Sequence, residues 1–236
     1  MGTVERTRAV IRKLDGMSDR KRLIGMERYG INTRKALGIS VTELRSLARS
    51  IGRDHELAVG LWDTEIHEAR ILASMIDDPD EVTEAQMEAW VYDLDSWDVC
   101  DQVCSNLLDR TRFAFRKAVE WSAREDEFVK RAGFALMACA AVHRKDAPDA
   151  QFETFLPIIR AEATDDRNYV RKAVSWALRQ IGKRSPELNA RAIETAREIR
   201  RIDARAARWI AGDALRELES PAVQERLAER AARSNA

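Results

Sequence analysis

Apolar residues recur at spacings of three and four along this sequence, which is the period of amphipathic helices. Short polar segments interrupt the pattern, and Ser40, Thr83 and Ser96 stand at such breaks as candidate N-cap residues. The pattern predicts helices over residues 3–14, 18–29, 40–52, 54–63, 65–76, 83–94, 97–108, 111–123, 126–143, 148–163, 167–182, 185–199, 203–218 and 220–233. No break is long enough to serve as a domain linker, so we expect one domain over residues 1–236.

Alternate helices of this series resemble one another. The segments EIHEARILASM, WDVCDQVCSNL, FVKRAGFALMA, YVRKAVSWALR and DARAARWIAGD align with a small residue at Ala69, Cys100, Ala132, Ala173 and Ala206. The spacings of 31, 32, 41 and 33 residues are typical of stacked helix pairs. Coincidence in an alanine-rich chain is the alternative. We favour an all-α fold, a HEAT-like α-solenoid of antiparallel helix pairs whose curvature creates a concave groove.

The composition favours helix over strand and a cytoplasmic setting. Only ten Gly and five Pro interrupt a chain of 236 residues, of which 45% are apolar and 34% charged. The first residues lack the apolar core of a signal peptide, and no later stretch approaches the about 18 uncharged apolar residues of a spanning helix. Three cysteines cannot form a disulfide framework. We therefore expect an unprocessed cytoplasmic protein without a membrane segment.

The charges are segregated although the formal net charge is zero. Residues 71–109 contain no Lys or Arg but many acidic residues. Between residues 167 and 208 basic residues outnumber acidic ones, and the basic set includes Arg171, Lys172 and Arg179. A basic C-terminal part keeps nucleic acid among the possible partners.

The repeat alignment places an aromatic, an acid and a base at related helical positions. With Ser96 as N-cap, Trp97 falls in the first turn of its helix, and Asp101 lies four residues later on the same face. Arg131 stands beside Ala132 in the next repeat, and Trp176 follows Ala173 by three residues in the repeat after it. Because equivalent positions of a solenoid line one face, we expect these four side chains to line one groove.

The sequence resembles the DNA alkylation repair family, the HEAT-like-repeat DNA glycosylases of the AlkD type. The resemblance rests on MERYGINTRKALGIS, LWDTEIHEARILAS, DSWDVCDQV, EFVKRAGFAL and NYVRKAVSWALRQIGK, in this order, and covers residues 26–218. It implies hydrolysis of the N-glycosidic bond of purines alkylated at N3 or N7, in duplex DNA. Base excision repair of alkylation damage would then be the role of the protein.

The resemblance also implies roles for individual residues. Asp101 corresponds to the catalytic carboxylate, Trp97 and Trp176 to the groove tryptophans, Arg131 to the phosphate-contacting arginine, and Tyr29 to a third aromatic of the cleft. Arg171, Lys172 and Arg179 of the basic region would add phosphate contacts. The sequence departs from this resemblance at Ser96, where better-studied members of the family carry a second tryptophan.

The chemistry is consistent with these roles. An N3- or N7-alkylated purine is cationic and leaves as a neutral base, so the main barrier is the positive charge that develops on the sugar. One carboxylate, Asp101, can stabilise that charge and orient a water molecule. Tryptophan faces attract cations by about 0.5–2 kcal/mol, which suits Trp97 and Trp176 to a charged lesion. We expect no metal and no organic cofactor, and a monomer that associates with the nucleoid.

Each of these residues also has an ordinary structural interpretation. The tryptophans can be core residues, Asp101 a surface acid near a helix start, and Arg131 its ion-pair partner. Cys100, Cys104, Cys139 and His143 have spacings compatible with a metal site, although small buried thiols are the simpler explanation. Two other functions therefore stay open, non-catalytic binding of distorted or branched DNA and a protein-interaction scaffold.

Overall fold

The computed structural model describes residues 2–234, and within this range the chain contains only helices, turns and loops. The chain divides into two compact units, one ending at Phe113 and the other beginning at Ala114. The single domain and the concave groove expected from the sequence stay predictions.

The first unit contains seven α-helices and a 3-10 turn among its described residues. These are α1 (Thr3–Gly16), α2 (Arg20–Arg28), α3 (Val41–Ile51), α4 (His55–Trp62), α5 (His67–Ile76), α6 (Glu84–Tyr92), α7 (Trp97–Asn106) and the 3-10 turn Leu108–Arg110. Helix α5 packs against α3, α4 and α7 and is buried over most of its length. It is therefore the central helix of this unit.

The second unit contains eight α-helices and a further 3-10 turn within the residues that the structure describes. These are α8 (Ala114–Ser122), α9 (Glu127–His143), α10 (Asp149–Glu153), α11 (Phe155–Ala161), the 3-10 turn Glu162–Thr164, α12 (Asn168–Gly182), α13 (Pro186–Arg200), α14 (Arg205–Leu218) and α15 (Pro221–Ser234). All residues from Val129 to Ala141 of α9 are buried, between α8 and α12. Small side chains make this burial possible.

The predicted all-helical architecture is confirmed, with one helix divided. The pattern predicted one helix over 148–163, but the structure ends α10 at Glu153 and begins α11 at Phe155. Pro157 explains the interruption, because its ring would clash with the carbonyl group of Glu153 in a continuous helix. In the first turn of α11 the missing N–H of Pro157 costs nothing.

Two of the three predicted N-caps form as expected. Ser40 and Glu43 make a reciprocal capping box at α3, and Thr83 accepts a hydrogen bond from the N–H of Gln86. Ser96 occupies the N-cap position of α7, but its side chain makes no capping hydrogen bond. Its hydroxyl group donates to Asp98, at 2.5 Å. The hydroxyl oxygen accepts from the backbone N–H of Asn32, at 3.4 Å, and not from an N–H group of α7, so the expected cap is absent.

The five small residues of the predicted repeat are all buried, between 0% and 2% exposed. In the first unit, contacting residues follow the predicted register, since His67 and Asp98 meet across 31 residues. In the second unit, Ser175 contacts Asp213 across 38 residues, whereas the alignment predicted a spacing of 33 residues for this repeat. The predicted register of the last repeat is therefore off by about one turn. Alanines at several positions of α14 allow more than one alignment, and the sequence pattern selected the wrong one.

Stacked indole rings fill the core of the first unit beside α5. Trp62 and Trp90 lie 4.0 Å apart at an interplanar angle of 1°. The Trp62 indole N–H donates to Asp93 at 2.8 Å, and the guanidinium of Arg70 lies 5.0 Å from the Trp62 ring.

Among the described residues, no helix is both long and apolar enough to span a bilayer.

Candidate functional site

The start of α7 brings together three of the predicted site residues of the first unit. Trp97 is the first residue of α7, and Asp101 lies one turn later on the same face, with both side chains partly buried. The indole Nε1–H of Trp97 donates to the carbonyl oxygen of Tyr29 at 3.0 Å. Tyr29 follows the last residue of α2, and its side chain is 75% exposed. Trp97 is therefore fixed by the backbone of Tyr29, while the ring of Tyr29 faces solvent.

The loop that follows Tyr29 is anchored by a buried carboxylate. Glu68 is 1% exposed and accepts hydrogen bonds from the N–H groups of Leu37 at 2.8 Å, Gly38 at 2.7 Å and Ile39 at 3.2 Å. Gly38 has a φ of 79°, and an added Cβ would collide with the carbonyl group of Asp19, so only glycine fits. A fixed loop keeps the Tyr29 carbonyl group in place for Trp97.

The same loop reaches the N-terminal end of α7 through Asn32. Its side-chain amide donates to Asp95 at 2.6 Å, and its backbone N–H donates to the hydroxyl group of Ser96 at 3.4 Å. Ser96 is 1% exposed. Ser96 is therefore a small buried side chain that connects the loop to α7.

A His–Asp pair, in which the histidine is buried and the aspartate partly buried, joins this helix start to α5. Nε2 of His67, the first residue of α5, lies 2.8 Å from Oδ2 of Asp98, the second residue of α7. His67 and Asp98 were not among the predicted site residues, although their spacing in the sequence carries a signal. The two residues are 31 positions apart, the same spacing as between Ala69 and Cys100 in the repeat alignment.

A cleft of about 300 Å³ opens beside the His67–Asp98 pair. Charges of both signs line it, including Arg34, Lys35, Glu65 and Asp95. The anionic residues offset the cationic ones, so the cleft does not have the excess positive charge expected of a phosphate site.

In the second unit, the predicted phosphate contact Arg131 is 5% exposed. One guanidinium N–H donates to the carbonyl oxygen of Tyr169 at 2.6 Å, which joins α9 to the first turn of α12. The ring of Tyr169 in turn stacks on that of Phe128, with centroids 5.6 Å apart. Arg131 thus has a structural role between two helices, and its contact with phosphate stays a prediction.

The remaining predicted residues share α12 but have different surroundings. Trp176 is partly buried, and Lys172 is exposed one turn before it. Arg171 donates to Asn168 Oδ1 at 3.1 Å. Arg179 pairs with Glu217 and lies 3.3 Å from Asp213, both on α14. Lys172 is therefore the predicted cation of α12 with the most accessible charge, and Arg179 serves the α12–α14 interface.

The ion pairs of Glu217 on α14 shift the pKa of its carboxyl group. Burial raises the pKa of Glu217, but hydrogen bonds from Lys183 and Arg179 outweigh burial and hold that pKa below its ordinary value. Glu217 is therefore ionised at neutral pH and neutralises part of the positive charge of α12.

The described residues contain no group of three or more His, Cys, Asp or Glu side chains placed to hold a metal ion. Cys100, Cys104 and Cys139 are buried and form no disulfide bond among the described residues. The chemical groups available near Trp97 are thus a carboxylate, aromatic faces and hydrogen-bonding side chains, which suit the stabilisation of a cation.

Comparison with known proteins adds a family and a fold. The family model of the DNA alkylation repair enzymes matches residues 10–218. The uncharacterized protein Lin0241 of Listeria innocua serovar 6a is 22% identical over 168 residues, which are 70% of this chain and 73% of that protein.

A solved structure shares the fold with a TM-score of 0.75 at 20% sequence identity, over 89% of this chain and 95% of the other. It represents a new family of proteins related to the HEAT-like repeat DNA glycosylases with affinity for branched DNA structures. The HEAT-like fold predicted from the sequence is thereby confirmed.

Proposed function

This chain belongs to the DNA alkylation repair enzyme family, and from this premise we propose that it is a DNA glycosylase acting on duplex DNA. Its substrates would be purines that carry an alkyl group at N3 or N7. The observation that carries the proposal is the start of α7, where Trp97 and Asp101 lie one turn apart and Trp97 is hydrogen-bonded to Tyr29.

The mechanism depends on the charge of the lesion. The alkylated base departs as a neutral molecule, and it therefore requires no proton from the protein. The sugar becomes cation-like as the bond lengthens, and the carboxylate of Asp101 stabilises this charge and orients the attacking water. The ring of Trp97 attracts the cationic base before cleavage and the cation-like sugar during it.

Binding depends on basic residues that offset the repulsion between Asp101 and DNA phosphates. Lys172 and Arg171 on α12 supply positive charge beside Trp176, and Arg131 supplies it on α9. The protein would act as a cytoplasmic, nucleoid-associated monomer without metal or organic cofactor. The proximity of Trp97 and Asp101 supports an enzyme over a scaffold, because a scaffold has no need of an acid one turn from a tryptophan.

A second function, binding of branched DNA without catalysis, is favoured by one specific observation. Ser96 is a small buried residue. The resemblance implies a tryptophan at this position in better-studied glycosylases, so the proposed lesion site would have one aromatic face fewer. The relative of known structure comes from a family with affinity for branched DNA, which supports the same alternative.

The deciding experiment incubates the protein with duplex DNA that contains one 7-methylguanine and measures the released base against a no-enzyme control. Release that disappears in Asp101→Asn supports the glycosylase. Absence of release by a folded protein that still binds branched DNA supports the second function, and absence of any DNA binding supports a protein-interaction scaffold.

A further inference from the structure

The exposed face of α14 carries arginines, a tryptophan and a glycine. Five residues at spacings of one, three and four form this face, which we name the α14 row: Arg205, Arg208, Trp209, Gly212 and Arg216. No carboxylate of this described helix lies among its exposed residues. The row extends for about 16 Å along the helix, which is room for several nucleotides.

The acids of α14 point away from this row, toward α12. Asp213 accepts a hydrogen bond from the hydroxyl group of Ser175 at 2.8 Å and lies 3.3 Å from Nε of Arg179. Glu217 binds Arg179 and, at 2.5 Å, the ammonium of Lys183. Because these carboxylates are already paired with Arg179 and Lys183, they neutralise little of the charge of the α14 row.

Two arginines of the row have weak partners on the surface. Arg208 pairs with Asp203 at 2.7 Å, where the two side chains are 58% and 99% exposed. Arg216 lies 3.8 Å from Asp213 and is 75% exposed. Exposed ion pairs contribute little, so either arginine can exchange its carboxylate for a phosphate.

Trp209 is held in place at the centre of the row. Its side chain is 38% exposed, and the guanidinium of Arg171 lies 5.2 Å from the centroid of the indole ring. Arg171 is itself fixed by its hydrogen bond to Asn168. A large aromatic ring that is oriented by a neighbour and surrounded by arginines has the make-up of a stacking platform for nucleobases.

We infer that the α14 row binds an unpaired DNA strand, with the ring of Trp209 stacked on a nucleobase and Arg205, Arg208 and Arg216 on phosphates. Duplex DNA does not satisfy this surface, because each base face is covered by its neighbours in the stack. A single-stranded arm offers uncovered bases and the same phosphate charge. The inference rests on the proposed DNA binding and adds DNA with an unpaired arm as a substrate class.

The test compares two DNA molecules of the same length, a fork with one single-stranded arm and a complete duplex. Trp209→Ala should weaken binding of the fork by roughly tenfold, the order of magnitude for one base–aromatic stack, and should change duplex affinity less than about twofold. Trp209→Phe should restore most of the loss, since a smaller ring still stacks. Tyr92→Ala, which removes a 52% exposed aromatic side chain from α6, is the control and should change neither affinity.

A matched pair of arginines tests the phosphate contacts. Arg208 and Arg197 are similarly exposed, at 58% and 63%, and each pairs with one surface carboxylate. Arg208→Ala should reduce the salt dependence of fork binding by about 0.7 in the slope of log affinity against log salt, the value for one phosphate of a single strand. Arg197→Ala, on α13, should leave the slope unchanged.

The outcomes separate this inference from the proposed function. If the wild-type protein binds the fork and Trp209→Ala binds it equally well, with an unchanged melting temperature, the inference is wrong and DNA binding stands. An equal loss of fork and duplex affinity also overturns the stacking role. If fork binding depends on Trp209 but no 7-methylguanine is released, the inference holds for a non-catalytic DNA-binding protein. Absence of all DNA binding overturns both.

Discussion

The buried imidazole of His67 and the partly buried carboxylate of Asp98 form a pair between the first turns of α5 and α7, at 2.8 Å. Burial disfavours the charged imidazole, but the hydrogen bond and charge of Asp98, with Glu68 and Asp95 nearby, raise the pKa of His67. Burial also raises the carboxyl pKa, yet His67 and Ser96 outweigh it and lower the pKa of Asp98. The charged pair thus stabilises the helix start that carries Trp97.

The stability of the protein should depend on pH through this pair. A raised His67 pKa gives stabilisation that is complete below its ordinary value of 6.5 and is lost as the pH rises through the folded-state value. A lowered Asp98 pKa gives stabilisation that is present above its ordinary value of 3.8 and is lost as the pH falls through the folded-state value. Asp98→Asn should therefore lower the free energy of unfolding most at about pH 5.5, by roughly 3 kcal/mol, and less at pH 8.5.

Urea unfolding of wild type and Asp98→Asn at both pH values measures this difference. Asp80→Asn, which changes an exposed carboxylate, is the control and should change the free energy of unfolding little at either pH. An equal cost of Asp98→Asn at pH 5.5 and pH 8.5 would show that the charge of His67 does not contribute.

Close packing of α8 against α9 should make Gly133 irreplaceable. A Cβ at this position would lie 2.9 Å from the Cα atom of Ser122 and 2.9 Å from the carbonyl carbon of Trp121, both in the backbone of α8. Gly133→Ala should therefore lower the free energy of unfolding by about 2 kcal/mol, because the helices must separate. Guanidinium chloride unfolding measures the change.

Gly212 on α14 provides the matched control in the same unit. An added Cβ there meets no atom within 4 Å, so Gly212→Ala should stabilise the protein by roughly 0.5–1 kcal/mol through helix propensity. Equal effects of the two substitutions would contradict the close approach of α8 and α9.

Loss of the Asp101 charge should separate catalysis from binding. Asp101→Asn keeps the shape of the side chain, and single-turnover release of 7-methylguanine should fall by roughly 10²–10³-fold. Affinity for undamaged duplex should stay equal or improve slightly, because one acid that faces phosphates is gone. Near-wild-type release by a folded, DNA-binding variant would remove the basis of the proposed mechanism.

The same variant distinguishes a structural role for Asp101. An acid that only stabilises its helix or a surface ion pair would cost about 0.5–1 kcal/mol of stability and little activity for each folded molecule. The melting temperature of Asp101→Asn, recorded beside its rate, separates the two roles.

Binding of DNA should weaken with salt, and Lys172 should contribute to that dependence. Lys172 is exposed on α12, so Lys172→Ala should leave folding intact. It should reduce the slope of log affinity for duplex against log salt by about 0.9, the value for one phosphate. Lys13→Ala, an exposed lysine on α1, serves as the control in the same titration.

Arg131→Ala should also weaken binding but is harder to interpret. The guanidinium is buried and donates to Tyr169, so its removal leaves a backbone carbonyl without this donor and destabilises the α9–α12 contact. Arg131→Lys retains the charge and is the informative comparison, with affinity measured on molecules shown to be folded. Affinity of Arg131→Ala equal to wild type would remove Arg131 from the DNA-binding residues.

The helices were predictable because each one is encoded by neighbouring residues. The pattern predicted 126–143 and 167–182 as helices, and α9 and α12 begin only one residue later than predicted. The error at 148–163 had a local cause in Pro157, which the apolar pattern alone did not take into account. In α14 several alanines satisfied the repeat equally well, so the sequence could not decide which residue of α12 each would contact.

The placement of Trp97 and Asp101 on one helix face also followed from the sequence, since four residues make about one turn. Their surroundings required the tertiary structure. The hydroxyl group of Ser96 donates to Asp98 and does not cap α7. The indole N–H of Trp97 donates to the carbonyl group of Tyr29, 68 residues away. Helical periodicity depends on contacts within a few residues, whereas the partner of a long polar side chain depends on which distant helix packs beside it.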